Sequence, residues 1–475
     1  MAQYVNAKYD NSNGASDGTA NKPWLHVEDI NTPAIGEEII LADDTDYYMS
    51  AGLNLGRNGT SVSPIIWRAE SSTWTDITRK PRLHAGIRID NNASYAWVLT
   101  ANDEYYLTAV GGGNPGLTEI KTATINDYYR GSSVSGNNSA TEQRATTVVS
   151  GNDQVIGSMT GDGTVWGWGD NDSLGYSTFY FKPAPGHVPN DYKIEASQID
   201  YLINTNWRYH QFNDLIFNLG NIANVTGSGY EWVMNRSILA NADFNCIASR
   251  ANHAGVVQMT LNACLLSQSH RAVGHAHNSW LEVNNCVGHN NHLFMLVAAT
   301  LDPTAPLRNN ICWGGESGFI DNKSASHTID EQNNFMYPRM NDGVNALGYV
   351  SPANWTTTNA SSMPANVATS TGNQSSLRDV NFVRTDLHDW KKCDFRLAAS
   401  PALAGGQPIA AGTTDIYGTE YHAVSPNAGI YAGDISSAKV FDSTLGNDGW
   451  ETSQTPDNTK RSATLGAQGY EVPPL

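Results

Sequence analysis

The sequence predicts an all-β solenoid, and three observations between Tyr201 and Tyr337 predict it. Asparagines recur at Asn213, Asn235, Asn262, Asn284, Asn309 and Asn333, spaced by 22, 27, 22, 25 and 24 residues, in the frames FNDLI, MNRSI, LNACL, VNNCV, RNNIC and QNNFM. Three residues after each comes Ile216, Ile238, Leu265, Val287, Cys312 or Met336, a wholly apolar column. A repeat of roughly 20–30 residues without helical periodicity belongs to a chain that winds in stacked coils. Asparagine suits a recurring corner because it tolerates the left-handed conformation and bonds to nearby backbone. At the inter-strand spacing of about 4.8 Å, six such side chains can pass hydrogen bonds along the axis. Chance spacing would leave the apolar column no reason to track the asparagines.

Composition agrees. Charged residues make up 16% of the 475, below the usual level of about 25%, while Gly, Asn, Ser and Thr abound. The balance of 28 basic to 46 acidic residues gives −18 without a dense basic patch, which disfavours nucleic acid and anionic membranes as partners. The opening MAQYVNAKYDNSNGASDGT has neither a basic nor an apolar segment of a secretory signal, so synthesis and folding in a cytoplasm are expected. Five cysteines (Cys246, Cys264, Cys286, Cys312 and Cys393) lack CxxC spacing, so neither a disulfide framework nor a zinc site is expected. Cys264 and Cys286 each follow a repeat Asn by two residues, which predicts that they stack on neighbouring coils as small buried side chains.

In chain order, residues 1–35 join an extended segment, a polar loop and PWLHVEDI, in which Pro23 can open a short helix; this stretch is expected to cap the open end of the solenoid. Residues 36–110 carry the strand-like runs EIILA, DYYMSAGLNL, SPIIWRA, RLHAGIRI, YAWVLT and EYYLTAV, read as the first coils. Residues 111–200 begin with GGGNPG and a Ser/Thr/Asn-rich stretch, read as a long loop insertion and its return. Residues 201–434 hold the main coils, with a polar excursion at 341–385 and a closing segment, and residues 435–475 form a polar, aperiodic C-terminal arm.

The opening YV…DGT…PW, the run SPIIWRA, and the late segments DFRLAASPALAGG (394–406) and DIYGTEY…PNAGIYAGD (415–434) resemble the right-handed parallel β-helix superfamily of polysaccharide lyases and phage tailspike-like surface proteins. The resemblance covers roughly 1–110 and 200–434. It implies a right-handed single-stranded parallel β-helix. It is far less specific for activity, because the superfamily spans lyases, hydrolases, epimerases and inert adhesins.

Such enzymes bind polymer along an outer groove, so polar residues that align on successive coils matter most. Counting eight residues past each repeat Asn gives Asn221, Asp243, His270, His292 and Ser317. With Arg271 beside them, a neutral His would serve as base, Arg would hold a uronate carboxylate, and Asp243 would tune the imidazole. His275, His277 and Arg250 lie near the same arc and are candidate sugar contacts, as are Trp166 and Trp168, whose faces can stack on sugar rings. A plain hydrogen-bonding role in turns, or core packing for the tryptophans, is the structural alternative. The acids between 201 and 320 are too scattered for a calcium centre, so no metal and no cofactor is expected; Asp243 and Glu282 could form a hydrolase pair, though nothing in their spacing favours it.

Three functions fit. The first is a virion-associated protein, tailspike-like or surface-decorating, that is assembled in a host cytoplasm, contacts glycans and is expected to be a homotrimer or to bind other virion subunits. The second is a polysaccharide lyase acting on an acidic polymer, secreted or cell-surface if a signal was removed. The third is a structural or adhesive β-helix without catalysis.

Overall fold

A computed structural model describes, with gaps, residues 2–70, 80–129, 165–338, 367–397 and 408–432. Apart from two short 3-10 turns the described elements are strands, and no helix is long and apolar enough to cross a membrane. Three parallel sheets run the length of the molecule. Sheet I has ten strands, from Ala2–Val5 through Ile65–Glu70 and His210–Asn213 to Val367–Thr371; sheet II has nine, from Asp46–Tyr48 to Gln374–Ser375; sheet III has six, from Tyr201–Thr205 to Gly318–Asn322. The first coils add strands to sheets I and II, and from Tyr201 to Pro338 strands enter sheets III, I and II in turn, so the chain is a parallel β-helix, right-handed as such crossovers are.

Alternation within each strand builds the core. In sheet I, Phe212, Trp232, Met234, Leu261 and Val283 point inward and are fully buried, while Gln211, Val233, Thr260 and Glu282 between them are half-exposed. Phe217, Leu239, Leu266 and Cys312 from sheet II and Ile203, Ala223, Ile247, Val273 and Met295 from sheet III complete one continuous interior.

The asparagine ladder exists, with one correction. Asn213, Asn235, Asn262 and Asn284 stand in register, each Nδ2 donating to the preceding Oδ1 at 2.8, 3.0 and 3.3 Å. The next place belongs to Arg308, because in the frame RNN the residue directly before the left-handed corner is Arg and not Asn; Asn309 instead bonds to Asn285 at 3.3 Å. The left-handed corner falls on Asn309 as expected but one residue past the other four asparagines, so that Asp214, Arg236, Ala263, Asn285 and Asn309 have φ between 51° and 60°. Their amides donate to the next coil, as from Arg236 to the Asn262 carbonyl at 2.9 Å, so the corner geometry serves the stacking.

The apolar column is Ile216, Ile238, Leu265, Val287, Ile311 and Phe335, so Cys312 and Met336 fall one place off it. It also faces outward, alternating with the core residues of sheet II. Gly429 of the closing segment lies against Ile311 and Val287, donates to the Asn309 carbonyl at 2.7 Å, and has φ +83°. Arg236 Nη1 donates to Thr414 Oγ1 at 2.9 Å. The late segments therefore cover the outer face of sheet II.

At the N-terminal end the segment through Gly18 and Trp24 bonds the free edge of Ala2–Val5, with Val27–Asp29 as a single 3-10 turn beside it. The strands YAWVL and YYLTA, read above as first coils, pair antiparallel instead. They belong to an insertion that leaves after Arg82–His84 of sheet II and rejoins at Tyr201–Thr205 of sheet III. It holds two four-stranded antiparallel sheets and its own core of Ile89, Leu107, Ile120, Trp166, Phe179, Phe181 and Ile194. Short alternating runs look alike in both settings; pairing direction depends on connections the local pattern does not specify. The excursion at 341–385 similarly contains coil strands, since Val367–Thr371 and Gln374–Ser375 extend sheets I and II. The arm at 435–475 lies outside the described residues.

Candidate functional site

Two polar regions stand out. The first is the outer face of sheet I. Its outward positions form two rows, in register across strands: Ile66, Gln211, Val233, Thr260 and Glu282 in one, and Arg68, Asn213, Asn235, Asn262, Asn284 and Arg308 in the other. Asn213 Oδ1 also accepts from Gln211 Nε2 at 3.0 Å, which ties the two rows together. The four amides span about 14 Å along the axis at the usual strand spacing. Each Nδ2 keeps an N–H beyond the ladder, and Asn235 and Asn262 keep spare acceptor capacity; the Oδ1 of Asn213 already accepts twice, and that of Asn284 is buried. At one end Arg68 is held by Glu38 at 2.9 Å and Glu70 at 2.8 Å, and these carboxylates, against the opposing cost of burial, hold its guanidinium more firmly charged than usual.

The second region lies where the insertion meets the first coils. His84 is fully buried and stacks on Tyr48, with ring centroids 4.6 Å apart and 11° between planes. Its Nδ1 is 3.0 Å from Asn218 Nδ2 and 3.5 Å from Glu195 Oε2; its Nε2 is 3.7 Å from Asp46 Oδ1. Tyr48 donates its hydroxyl to Glu195 Oε1 at 2.8 Å. Burial first, and the Glu195 charge second, push the Tyr48 phenol up, so it stays a donor. Glu195 comes from the insertion and the rest from sheet II, so this network fastens one to the other. Where the chain leaves sheet II, Gly86 packs against the Ala196 carbonyl so closely that no Cβ fits.

The residues singled out from sequence are placed as follows. Arg271 opens the strand Arg271–His275 of sheet III, half-buried, in register with Asn245 and Leu293. His275 closes that strand opposite Ser249 and Val297, and Arg250 pairs with Thr226; their side chains lie outside the described ones. Asp243, His270, His277 and His292 lie outside the described residues. The offset of eight does not mark a column: Asn245 is ten residues past Asn235, whereas Arg271 and Leu293 are nine past Asn262 and Asn284. The second corner differs in length between coils, which equal counting cannot follow. Trp166 is not a sugar platform; it is fully buried and stacks on Phe179 at 5.5 Å. Trp168 is half-buried and packs on the same core. Among the described residues no group of three or more His, Cys, Asp or Glu is placed to hold a metal.

No protein-family model matches the chain, and no curated protein matches it. Among solved structures it is similar to XylC in complex with xylose (TM-score 0.38, 10% identity, 91% of this chain and 98% of the other). Pectate lyase Pel9A is a second such structure (TM-score 0.38, 13% identity, 91% and 96%), and tailspike protein gp49 from Pseudomonas phage LKA1 a more distant one (TM-score 0.17, 10% identity, 64% and 55%). The site must be argued from this chain's own residues.

The asparagine row of sheet I was read from sequence as a stacking ladder and not as a binding surface; its companion row and the His84 network were not singled out. The rows were legible, because a second outward residue lies two before each Asn; the network was not, since its members are spread along the chain from Asp46 to Asn218.

Proposed function

We propose that this chain is a glycan-contacting β-helix whose polymer lies along the outer face of sheet I, and that it is carried on the surface of a virion assembled in a host cytoplasm. The observation that carries the glycan reading is the outward ladder Asn213–Asn235–Asn262–Asn284, with Gln211 and Thr260 beside it. A row of amides and a hydroxyl at regular spacing can both donate to and accept from ring hydroxyls, and the half-exposed Val233 gives the apolar face of a sugar somewhere to rest.

Assembly in a reducing compartment is supported by Cys246, Cys264, Cys286 and Cys312, which are buried free thiols. A homotrimer is the expected oligomer, to be checked by sedimentation equilibrium. The glycan reading is tested by retention of the purified chain in affinity gels cast with a panel of polysaccharides. Retention by at least one polymer, weakened when Asn235 and Asn262 are both replaced by Ala in a chain that still unfolds cooperatively, is the expected result; migration unaffected by every polymer would refute it.

A further inference from the structure

We infer that the polymer recognised on sheet I is neutral rather than a polyuronate. The inference rests on the glycan reading above and adds the chemical class. Of the described outward side chains along the two rows and their extension, three are carboxylates (Glu38, Glu70 and Glu282) and two are guanidiniums (Arg68 and Arg308). Arg68 is already committed, its Nε to Glu38 and its Nη1 to Glu70. What the middle of the rail offers is uncharged: four amides, Gln211, Thr260 and Val233.

A polyuronate needs a cation opposite each carboxylate it buries against protein, because an unpaired charge that loses water is heavily penalised. This rail supplies amides there instead, and Glu282 sits in line with Thr260 where a neighbouring carboxylate would meet like charge. The surrounding field has the same sign, since the whole chain carries −18. Hydroxyl groups meet none of these penalties. They exchange hydrogen bonds with water for equivalent ones with Asn and Gln, each able to donate and accept.

The test is affinity electrophoresis of the full chain at low salt on neutral polymers (a β-glucan, a xylan, a galactomannan) and acidic ones (polygalacturonate, alginate). Retention is expected on a neutral polymer and on neither acidic one. Because no ion pairs form, binding should change less than about twofold between 50 and 500 mM salt. Thr260→Glu places a charge in the middle of the rail and should weaken that binding about tenfold or more, whereas Val62→Glu, the same charge change on an exposed turn, should not. If Thr260→Glu fails to fold by thermal melting, Gln211→Glu two strands away makes the same test. Stronger retention on the acidic polymers would overturn the chemical class while leaving the glycan reading intact. Neutral binding indifferent to both rail variants would remove the site from sheet I, and no retention on any polymer would end both.

Discussion

Asn262 both donates to Asn235 Oδ1 and accepts from Asn284 Nδ2, so one side chain links three coils. Asn262→Leu, close in volume, strands both neighbours' polar atoms, and a loss of about 1–3 kcal/mol is expected in equilibrium unfolding. Asn284→Leu cuts one of these bonds and should cost less. His210 tests burial directly. Enclosed against Phe212 and Trp232, with Nε2 on the Arg57 carbonyl at 2.9 Å, its imidazole is pushed down to about 4 by desolvation. Because the folded state resists the proton that the unfolded chain accepts near pH 6.5, stability is full above that pH and falls as pH drops towards 4. The loss is on the order of 3 kcal/mol from the size of that displacement. His210→Phe should flatten this part of the stability-against-pH curve; an unchanged slope would mean other groups cause it.

At the scale of elements, two polar clusters fasten pieces that do not share a ladder. Asp214 receives Lys80 at 2.6 Å and both Nε and Nη2 of Arg236 at 3.0 and 2.6 Å; burial works against its ionisation, but these two cations hold the carboxyl below its ordinary range. Arg236 then reaches Thr414, joining the corner to the closing segment. The His84 network does the corresponding work for the insertion. Tyr48→Phe removes the 2.8 Å bond to Glu195, so amide exchange should quicken in Ile194–Ser197 and Ile87–Arg88 while the sheet I amides keep their protection. Equal acceleration in the coils would show that insertion and solenoid open as one unit.

For the whole molecule, stability is close to a sum over coils and their interfaces, with covered ends and faces setting solubility. The outer face of sheet II shows this most clearly, because Ile216, Ile238, Leu265, Val287 and Ile311 line up along five strands and are all buried, the last two against Gly429 of the closing segment. Ending the chain before residue 408 should leave the coils able to form but expose that column, with dye binding to apolar surface and aggregation as the readout. A soluble, monodisperse product would show that other residues cover the face.

Period and alternation, which are local, determined that this chain coils: the Asn frames, the inward Phe212, Trp232 and Leu261, and the stacked Cys264 and Cys286 are all readable from spacing alone. Two outcomes needed the tertiary structure. The place in sheet III aligned with Arg271 lies ten residues past Asn235 but nine past Asn262 and Asn284, so one equal offset does not follow a column through every coil, and the ladder place after Asn284 falls to Arg308. The role of an apolar or aromatic side chain also depended on what folds over it. Val287 and Ile311 face outward yet lie under Gly429 of the closing segment, and Trp166 looked available to a sugar but fills the insertion's own core, because burial is set by partners distant in sequence.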